Sequence, residues 1–246
     1  MKHYLLLIIL FTAFSLSFAQ TPDEVLDKIV NSQRGGQTSS STVTMSVIRP
    51  NKTTEYQIKN VSDGDERSLI QVVAPSKDAG QAFLQDGDNL YLYNPRLKRT
   101  LRLPPSNQND SFLGSDVSYS DLGGSEFQDN YTPEITNQDE ATVELTLTPK
   151  ELAPTPYGKV VLTADVANNY RPITYVFYDQ RDTAVRQMSF FDYIDVEDVF
   201  FPSRFEIENL TAEGEKTAIT FQDLKFGVEV DQNCFRESAL ERGCNN

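Results

Sequence analysis

The chain has 246 residues, with 22 Lys and Arg against 36 Asp and Glu, and a formal net charge of −14. That sign disfavours long-range attraction to nucleic acid and to anionic membrane surfaces. The single histidine is His3, so beyond the extreme N-terminus no Ser-His-Asp or Cys-His arrangement and no histidine-ligated zinc site can form.

In chain order, "MKHYLLLIILFTAFSLSFAQ" comes first. Lys2 precedes an apolar run from Leu5 to Phe14, and the small residues Ser17 and Ala19 follow. This is the layout of a secretory signal peptide cleaved after Ala19, and the run is too short for a comfortable membrane span. The residue directly after the cleavage point is Gln20 and not a cysteine, so a lipid anchor is not expected, and no second long apolar stretch occurs. Residues 1–20 therefore read as a signal peptide and 21–246 as one exported domain without stable membrane insertion. Taking Lys2 from the 22 cations leaves 21 against 36 acids, a net charge of −15 for the mature chain.

"TPDEVLDKIV" predicts a helix. Thr21 is the N-cap, Pro22 takes the first helical position, and Glu24 completes a capping box. Val25, Leu26, Ile29 and Val30 share one face, and the glycines of "RGGQ", Arg34 to Gln37, end the helix.

From Ser41 the apolar period shortens to two. "TVTMSVIR", "EYQIKNV", "SLIQVVA", "QAFLQ", "NLYLY" and "RTLRL" alternate between turn residues. After a polar gap, "TVELTLT", "KVVLTADV", "ITYVFYD", "RQMSFFDYI", "SRFEIENL" and "TAITFQDLKF" follow. Roughly eleven or twelve short, near-evenly spaced strands predict an antiparallel sheet curled into a sandwich or barrel. Its concave face is either a filled core or, if partly covered, a site for an apolar ligand. Strand aromatics such as Tyr91, Tyr93, Phe177 and Phe190 fit either role.

"RLKRTLRL" concentrates positive charge. Alternation places Arg96, Lys98, Thr100 and Arg102 on one face and Leu97, Arg99, Leu101 and Leu103 on the other. The first face reads as an edge strand protected by charge, or as a dock for an acidic loop or a lipid phosphate. Arg99 shares its face with leucines, so it is expected at the rim of the concavity, paired with Asp116 or Asp121 of the next loop.

That loop, Ser106 to Asn130, is polar but carries isolated apolar residues, Phe112 and Tyr119 among them. A loop of this length reads as a lid or binding loop, or as an Ω-loop packed on itself. Asp116 is a candidate cap for a helical turn through "VSYSDL".

Further along, Asp192, Asp195, Glu197 and Asp198 match no calcium-loop spacing and read as a solvated acidic turn. No glycine-rich phosphate loop appears. No enzyme activity, metal or cofactor is expected, and a hydrolase using carboxylates alone is the least favoured alternative. Cys234 and Cys244, in an exported chain, are expected to form a disulfide worth roughly 2–3 kcal/mol. The alternative is two free thiols in a frayed tail.

Several of these stretches together carry a family resemblance. "LQDGDNLYLYNPRLKRTLRL" followed by "FLGSDVSYSDL" resembles the LolA-like outer-membrane lipoprotein-sorting family, in which a D-G-x-x-L-aromatic-x-Y-x-P strand precedes a basic strand and a G-S-D-aromatic-S-Y-x-D-L loop. Val117 stands here where the aromatic usually sits. "VIRPN", Ile48 to Asn51, and the tail "VDQNCFRESALER" are also similar to that family. The resemblance implies a mainly β fold: a single unclosed antiparallel barrel of about eleven strands, with helices covering its mouth. It also implies a periplasmic carrier whose cavity holds acyl chains of a lipoprotein or other lipid. Such proteins are often linked with resistance-nodulation-division (RND) exporters.

On that resemblance Arg49 takes the ligand-handling position of the R-P-N stretch, and Gly114, Ser115, Asp116 and Asp121 form the covering loop. Tyr91, Tyr93, Arg99, Phe112, Tyr119, Phe177 and Phe190 complete the expected ligand-binding set. The alternative function is an accessory subunit of an RND-type exporter that binds no lipid.

Overall fold

The computed structural model of the protein describes residues 20–32, 36–64, 66–122, 127–197 and 199–244. The signal-peptide expectation, through Ala19, lies outside the described residues. Thirteen strands form one antiparallel sheet. They are β1 (Ser39–Arg49), β2 (Lys52–Ser62), β3 (Arg67–Ala74), β4 (Ala82–Asp86), β5 (Asn89–Asn94), β6 (Arg99–Leu103), β7 (Tyr131–Gln138), β8 (Thr142–Pro149), β9 (Lys159–Asp165), β10 (Arg171–Tyr178), β11 (Ala184–Val196), β12 (Val199–Asn209) and β13 (Lys216–Phe226). The helices are α1 (Pro22–Asn31), α2 (Tyr119–Leu122), α3 (Phe127–Asn130) and α4 (Glu237–Arg242).

The strand order is β6-β5-β4-β3-β2-β1-β13-β12-β11-β10-β9-β8-β7. One meander winds outward from β1 to an edge at β6. The other starts at the opposite edge, β7, and returns to pair β13 with β1. The two edges do not pair, so the barrel stays unclosed, as expected. This order also explains the long loop. The chain must pass from β6 at one edge to β7 at the other, and it does so across the concave side.

The strand missing from the sequence reading is β7. "YTPEITNQ" contains Pro133 and few apolar residues, and proline is tolerated on an edge strand because no neighbour needs its N–H.

Helix α1 forms as its sequence predicts. Thr21 N–H donates to Glu24 Oε2 at 2.9 Å, and Glu24 N–H donates to Thr21 Oγ1 at 3.3 Å. It ends at Asn31, before the glycines. Its apolar face, Val25, Leu26, Ile29 and Val30, packs on the concave side of β8–β10 in one cluster with Leu145, Leu162 and Tyr175.

A second cluster on the concave face joins Met45, Ile58, Phe83, Ile207 and Ile219 to Phe112 and Val117 of the crossing segment. A third occupies the opposite face. Val61, Leu69 and Leu84 have the reverse parity to Ile58, Ile70 and Phe83 in the same strands, and they pack on Phe235, Ala239 and Leu240. The C-terminal α4 therefore covers the outside of β3–β5 rather than the mouth. The Cys234–Cys244 disulfide closes this tail, with Cα atoms 5.2 Å apart.

Two local expectations are corrected. Pro95 to Lys98 form a turn in which Lys98 has φ 49°, so strand alternation begins only at Arg99. Leu97 and Leu101 are 63% and 54% exposed on this edge. Asp192 and Asp195 lie within β11, with Asp192 held by Arg204 Nε at 2.7 Å, so they are not part of a turn. Asp198 lies outside the described residues.

Candidate functional site

Between the two concave clusters lies a cavity of about 550 Å³, within the range of roughly 300–1,000 Å³ usual for small-molecule sites. Its lining is mainly apolar. Val43, Met45 and Ile58 come from one meander, Tyr175, Phe190 and Phe205 from the other, and Phe112 and Tyr119 from the crossing segment.

Register explains why these side chains converge. Val43 pairs with Ile58 and with Phe221, Tyr175 with Met188, and Phe190 with Phe205. All of these point to one face because successive residues alternate. The rings meet edge-on or tilted. Phe83 and Phe112 centroids are 4.6 Å apart, Tyr175 and Phe190 4.8 Å, and Phe190 and Phe205 6.1 Å.

The crossing segment is tied to the sheet on two sides by polar contacts. On the first side, Arg49 Nη1 donates to Asp116 Oδ2 at 2.9 Å and Arg49 Nη2 to the Gly114 carbonyl at 2.9 Å. Asp116 also accepts from Thr217 Oγ1 at 2.8 Å, and Tyr56 Oη donates to the Leu113 carbonyl at 3.2 Å. Gly114 sits at φ +72°, a conformation that costs glycine little.

On the second side, Arg186 makes a two-pronged pair with Asp121, Nη2 to Oδ2 at 2.7 Å and Nη1 to Oδ1 at 3.2 Å. Arg186 is buried, 8% exposed. Its guanidinium lies over Phe177 at 4.9 Å and donates to Tyr157 Oη at 3.3 Å. Burial opposes its charge, but the Asp121 carboxylate and the Tyr157 hydroxyl outweigh that and hold its pKa above the ordinary arginine value. Burial, with Asp110 nearby, likewise raises the Tyr119 hydroxyl.

The expected site residues separate accordingly. Phe112, Tyr119, Phe177, Phe190 and Asp121 line the cavity. Arg49, Gly114, Ser115 and Asp116 form the first tether, where Ser115 Oγ donates to the Phe112 carbonyl at 2.6 Å. Tyr91 and Tyr93 do not belong. They pair with Leu84 and Ala82 and face the C-terminal tail on the outer side.

The expected Arg99 tether is not met either. Arg99 is exposed beside Asn94 on the edge, while Asp116 pairs with Arg49 and Asp121 with Arg186. Nor does Asp116 cap α2. That role falls to Ser118, whose Oγ accepts from Asp121 N–H at 3.3 Å while Asp121 Oδ2 accepts from Ser118 N–H at 2.6 Å.

Sequence reasoning missed Arg186. The available signal was parity, since it lies two residues before Met188 and four before Phe190, on the inward face. No group of three or more His, Cys, Asp or Glu side chains able to hold a metal occurs among the described residues.

A family model described as "-like: Uncharacterized protein" matches residues 64–242. No curated protein matches the chain. Among solved structures, a Vibrio parahaemolyticus domain described in terms of outer membrane lipoprotein sorting superposes with a TM-score of 0.81 at 23% identity, covering 90% of this chain and 98% of that one. A Desulfovibrio piger protein of a domain-of-unknown-function family gives 0.79 at 24% identity, covering 90% and 100%. A LolA superfamily protein from Nitrosomonas europaea gives 0.75 at 21% identity, covering 89% and 99%. What this chain shares with them is the fold, a LolA-like unclosed half-barrel.

Proposed function

The chain belongs to the family whose model spans residues 64–242, and from its LolA-like fold and cavity we propose that it is an exported, periplasmic carrier that shelters acyl chains of a lipoprotein or other lipid. The observation that carries this reading is a concave face left partly empty and apolar beneath a tethered crossing segment, where a filled core would leave no room. Each methylene moved from water into such a space contributes about 0.8 kcal/mol. A cavity alone can therefore extract and hold a lipid without covalent chemistry. The crossing segment suits a cover that opens for loading, because beyond the anchors Phe112 and Val117 its attachments are ion pairs and hydrogen bonds at two points. The Vibrio relative's description in terms of lipoprotein sorting supports the same substrate class.

Native mass spectrometry of the mature protein from a periplasmic extract tests the proposal. A co-purified lipid, or uptake of a fluorescent acyl probe, is expected. A protein that arrives empty and binds no amphiphile at micromolar concentration sinks it.

A second reading is an accessory subunit docking on an RND-type exporter. It draws on the β6 edge, where Leu97 and Leu101 stand 63% and 54% exposed among Arg96, Lys98, Arg99 and Arg102. On this reading the protein takes up no lipid, and replacing Leu97 and Leu101 with serine abolishes capture of the transporter; uptake of an acyl probe by the wild-type protein overturns it.

A further inference from the structure

The cavity is not uniformly apolar. Along β1 its concave residues run Ser39, Ser41, Val43, Met45, so one end of the strand presents hydroxyls and the rest hydrocarbon. The neighbours continue the division. Ser39 pairs with Ser62 and Ser41 with Asn60, whereas Val43 pairs with Ile58. Across β3 and β4, Ser62 pairs with Ser68 and Ser68 with Gln85. Polar rungs thus cross β1–β4 at one end of the cavity, and the next rungs inward are aliphatic.

Ser41 is only 7% exposed, lines the cavity, and its Oγ has no hydrogen-bond partner among the described residues. A buried hydroxyl without a partner is costly. The backbone opposite it is irregular, since Ser40 pairs with Lys225 and Thr42 with Gln222, leaving Asp223 and Leu224 facing the single residue Ser41. Such bulges recur beside functional sites, where they re-aim side chains.

The charges at this end point to the headgroup. Arg67 is the one cation among the described lining residues. Its guanidinium is already engaged, by Asp63 at 2.5 Å, by Gln232 Oε1 at 2.7 Å and by the Phe235 ring at 4.9 Å. The acids facing the cavity are Asp88 and Asp121. Among the described residues a phosphate or carboxylate would meet no unengaged cation there, whereas a hydroxyl or amide would meet Ser41 and Asn60.

Resting on the carrier reading, we propose that the cavity takes an amphiphile with an uncharged, hydroxyl- or amide-bearing head, seated against Ser41 and Asn60, with its tail running toward Met45 and Phe205. The test uses the mature full-length chain loaded with a pyrene-labelled long-chain alcohol. Displacement is compared between a monoacylglycerol and a lysophosphatidylglycerol of equal chain length.

The monoacylglycerol is expected to displace the probe at about tenfold lower concentration, the effect of roughly one to two hydrogen bonds. Ser41→Val combined with Asn60→Leu removes that preference and leaves lysophospholipid displacement unchanged. Ser41→Ala, which keeps the strand's shape, serves if the double variant unfolds and lowers the preference about threefold to fivefold. Equal or better displacement by the lysophospholipid, or a preference that survives the substitutions, overturns the headgroup assignment but leaves the carrier reading standing. Failure of the probe and both lipids to bind overturns the carrier reading itself.

Discussion

The two halves of the concave face are covered in different ways. Over β8–β10 the cover is α1, joined to the sheet by aliphatic side chains. Val25, Ile29, Val143, Leu145, Leu147, Val160 and Leu162 are all 0% exposed. Over β1–β4 and β12–β13 the cover is the crossing segment around Phe112 to Leu122, held by a few rings and by ion pairs at two points, with a cavity beneath. The first half is a wall. Opening it exposes many methylenes at once, at about 25 cal/mol per Å². The second half is a cover held by two buried apolar side chains, Phe112 and Val117, and by ion pairs at two points, so it buries fewer methylenes than the wall and its local opening costs less than global unfolding. A carrier needs both, a rigid side that keeps the pocket's shape and a releasable side that admits the ligand.

The largest expected effect falls on the Arg186–Asp121 tether. Asp121→Ala leaves a buried guanidinium without its carboxylate, and removing one partner of a buried pair typically costs about 3–5 kcal/mol. Arg186→Met should cost less, because the Asp121 side chain is 22% exposed and can be solvated, against 10% for Arg186. Urea unfolding of both variants checks the order. If Arg186→Met proves the more damaging, the burial argument for this tether is wrong.

Next is the wall. Leu26 is 1% exposed under α1, and Leu26→Ala should cost about 2–5 kcal/mol. The two halves then separate by local opening. Leu26→Ala should leave hydrogen exchange of the Tyr119 and Ser120 amides, which donate to Asp110 and Gln108, close to wild type. Asp121→Ala should accelerate it. Equal acceleration in both would mean that the halves open together and the comparison fails.

The wall was also the more legible half. Thr21, Pro22 and Glu24 announce α1 through local chemistry, and the alternation of "TVELTLT" and "KVVLTADV" displays the face it meets. The cover was legible only in part. Its length and its G-S-D-x-S-Y-x-D-L pattern mark it, but its partners depend on strand order. The pairing of β1 with β13 brings Thr217 to Asp116, which is not local in the chain; the β10–β11 hairpin sets Arg186 over Phe177 locally, but its partner Asp121 lies 65 residues earlier and no local pattern announces it. Arg99 misled because its alternation with leucines belongs partly to a turn, where Lys98 resets the parity. Tyr91 and Tyr93 misled because strand periodicity separates two faces without saying which one is concave.

A smaller effect is expected from the outer face. Replacing Cys234 and Cys244 with serine opens a bridge spanning 10 residues and should lower stability by about 2–3 kcal/mol. Because that tail packs behind β3–β5, away from the cavity, lipid-probe affinity should be unchanged in the folded variant, measured by fluorescence titration. A large affinity loss would mean that the outer tail shapes the pocket through β3 and β4.

The smallest effect is expected at the other tether. Arg49 is 26% exposed, and its partner Asp116 keeps a hydrogen bond from Thr217 when Arg49 is removed. Arg49→Ala should therefore cost only about 1 kcal/mol of global stability. Its local consequence is sharper. The Phe112 N–H donates to Val117 at 2.7 Å and the Asp116 N–H to Thr217 Oγ1 at 2.9 Å. A loss of about 1 kcal/mol confined to this segment raises the exchange rate of both amides about fivefold, while amides of β8 and β9 stay protected. Arg49→Lys keeps the charge but not the forked contact to Asp116 and the Gly114 carbonyl, so it should behave like alanine. Full protection in Arg49→Lys would show that charge alone closes this side of the cover, and that the first tether works differently from the second.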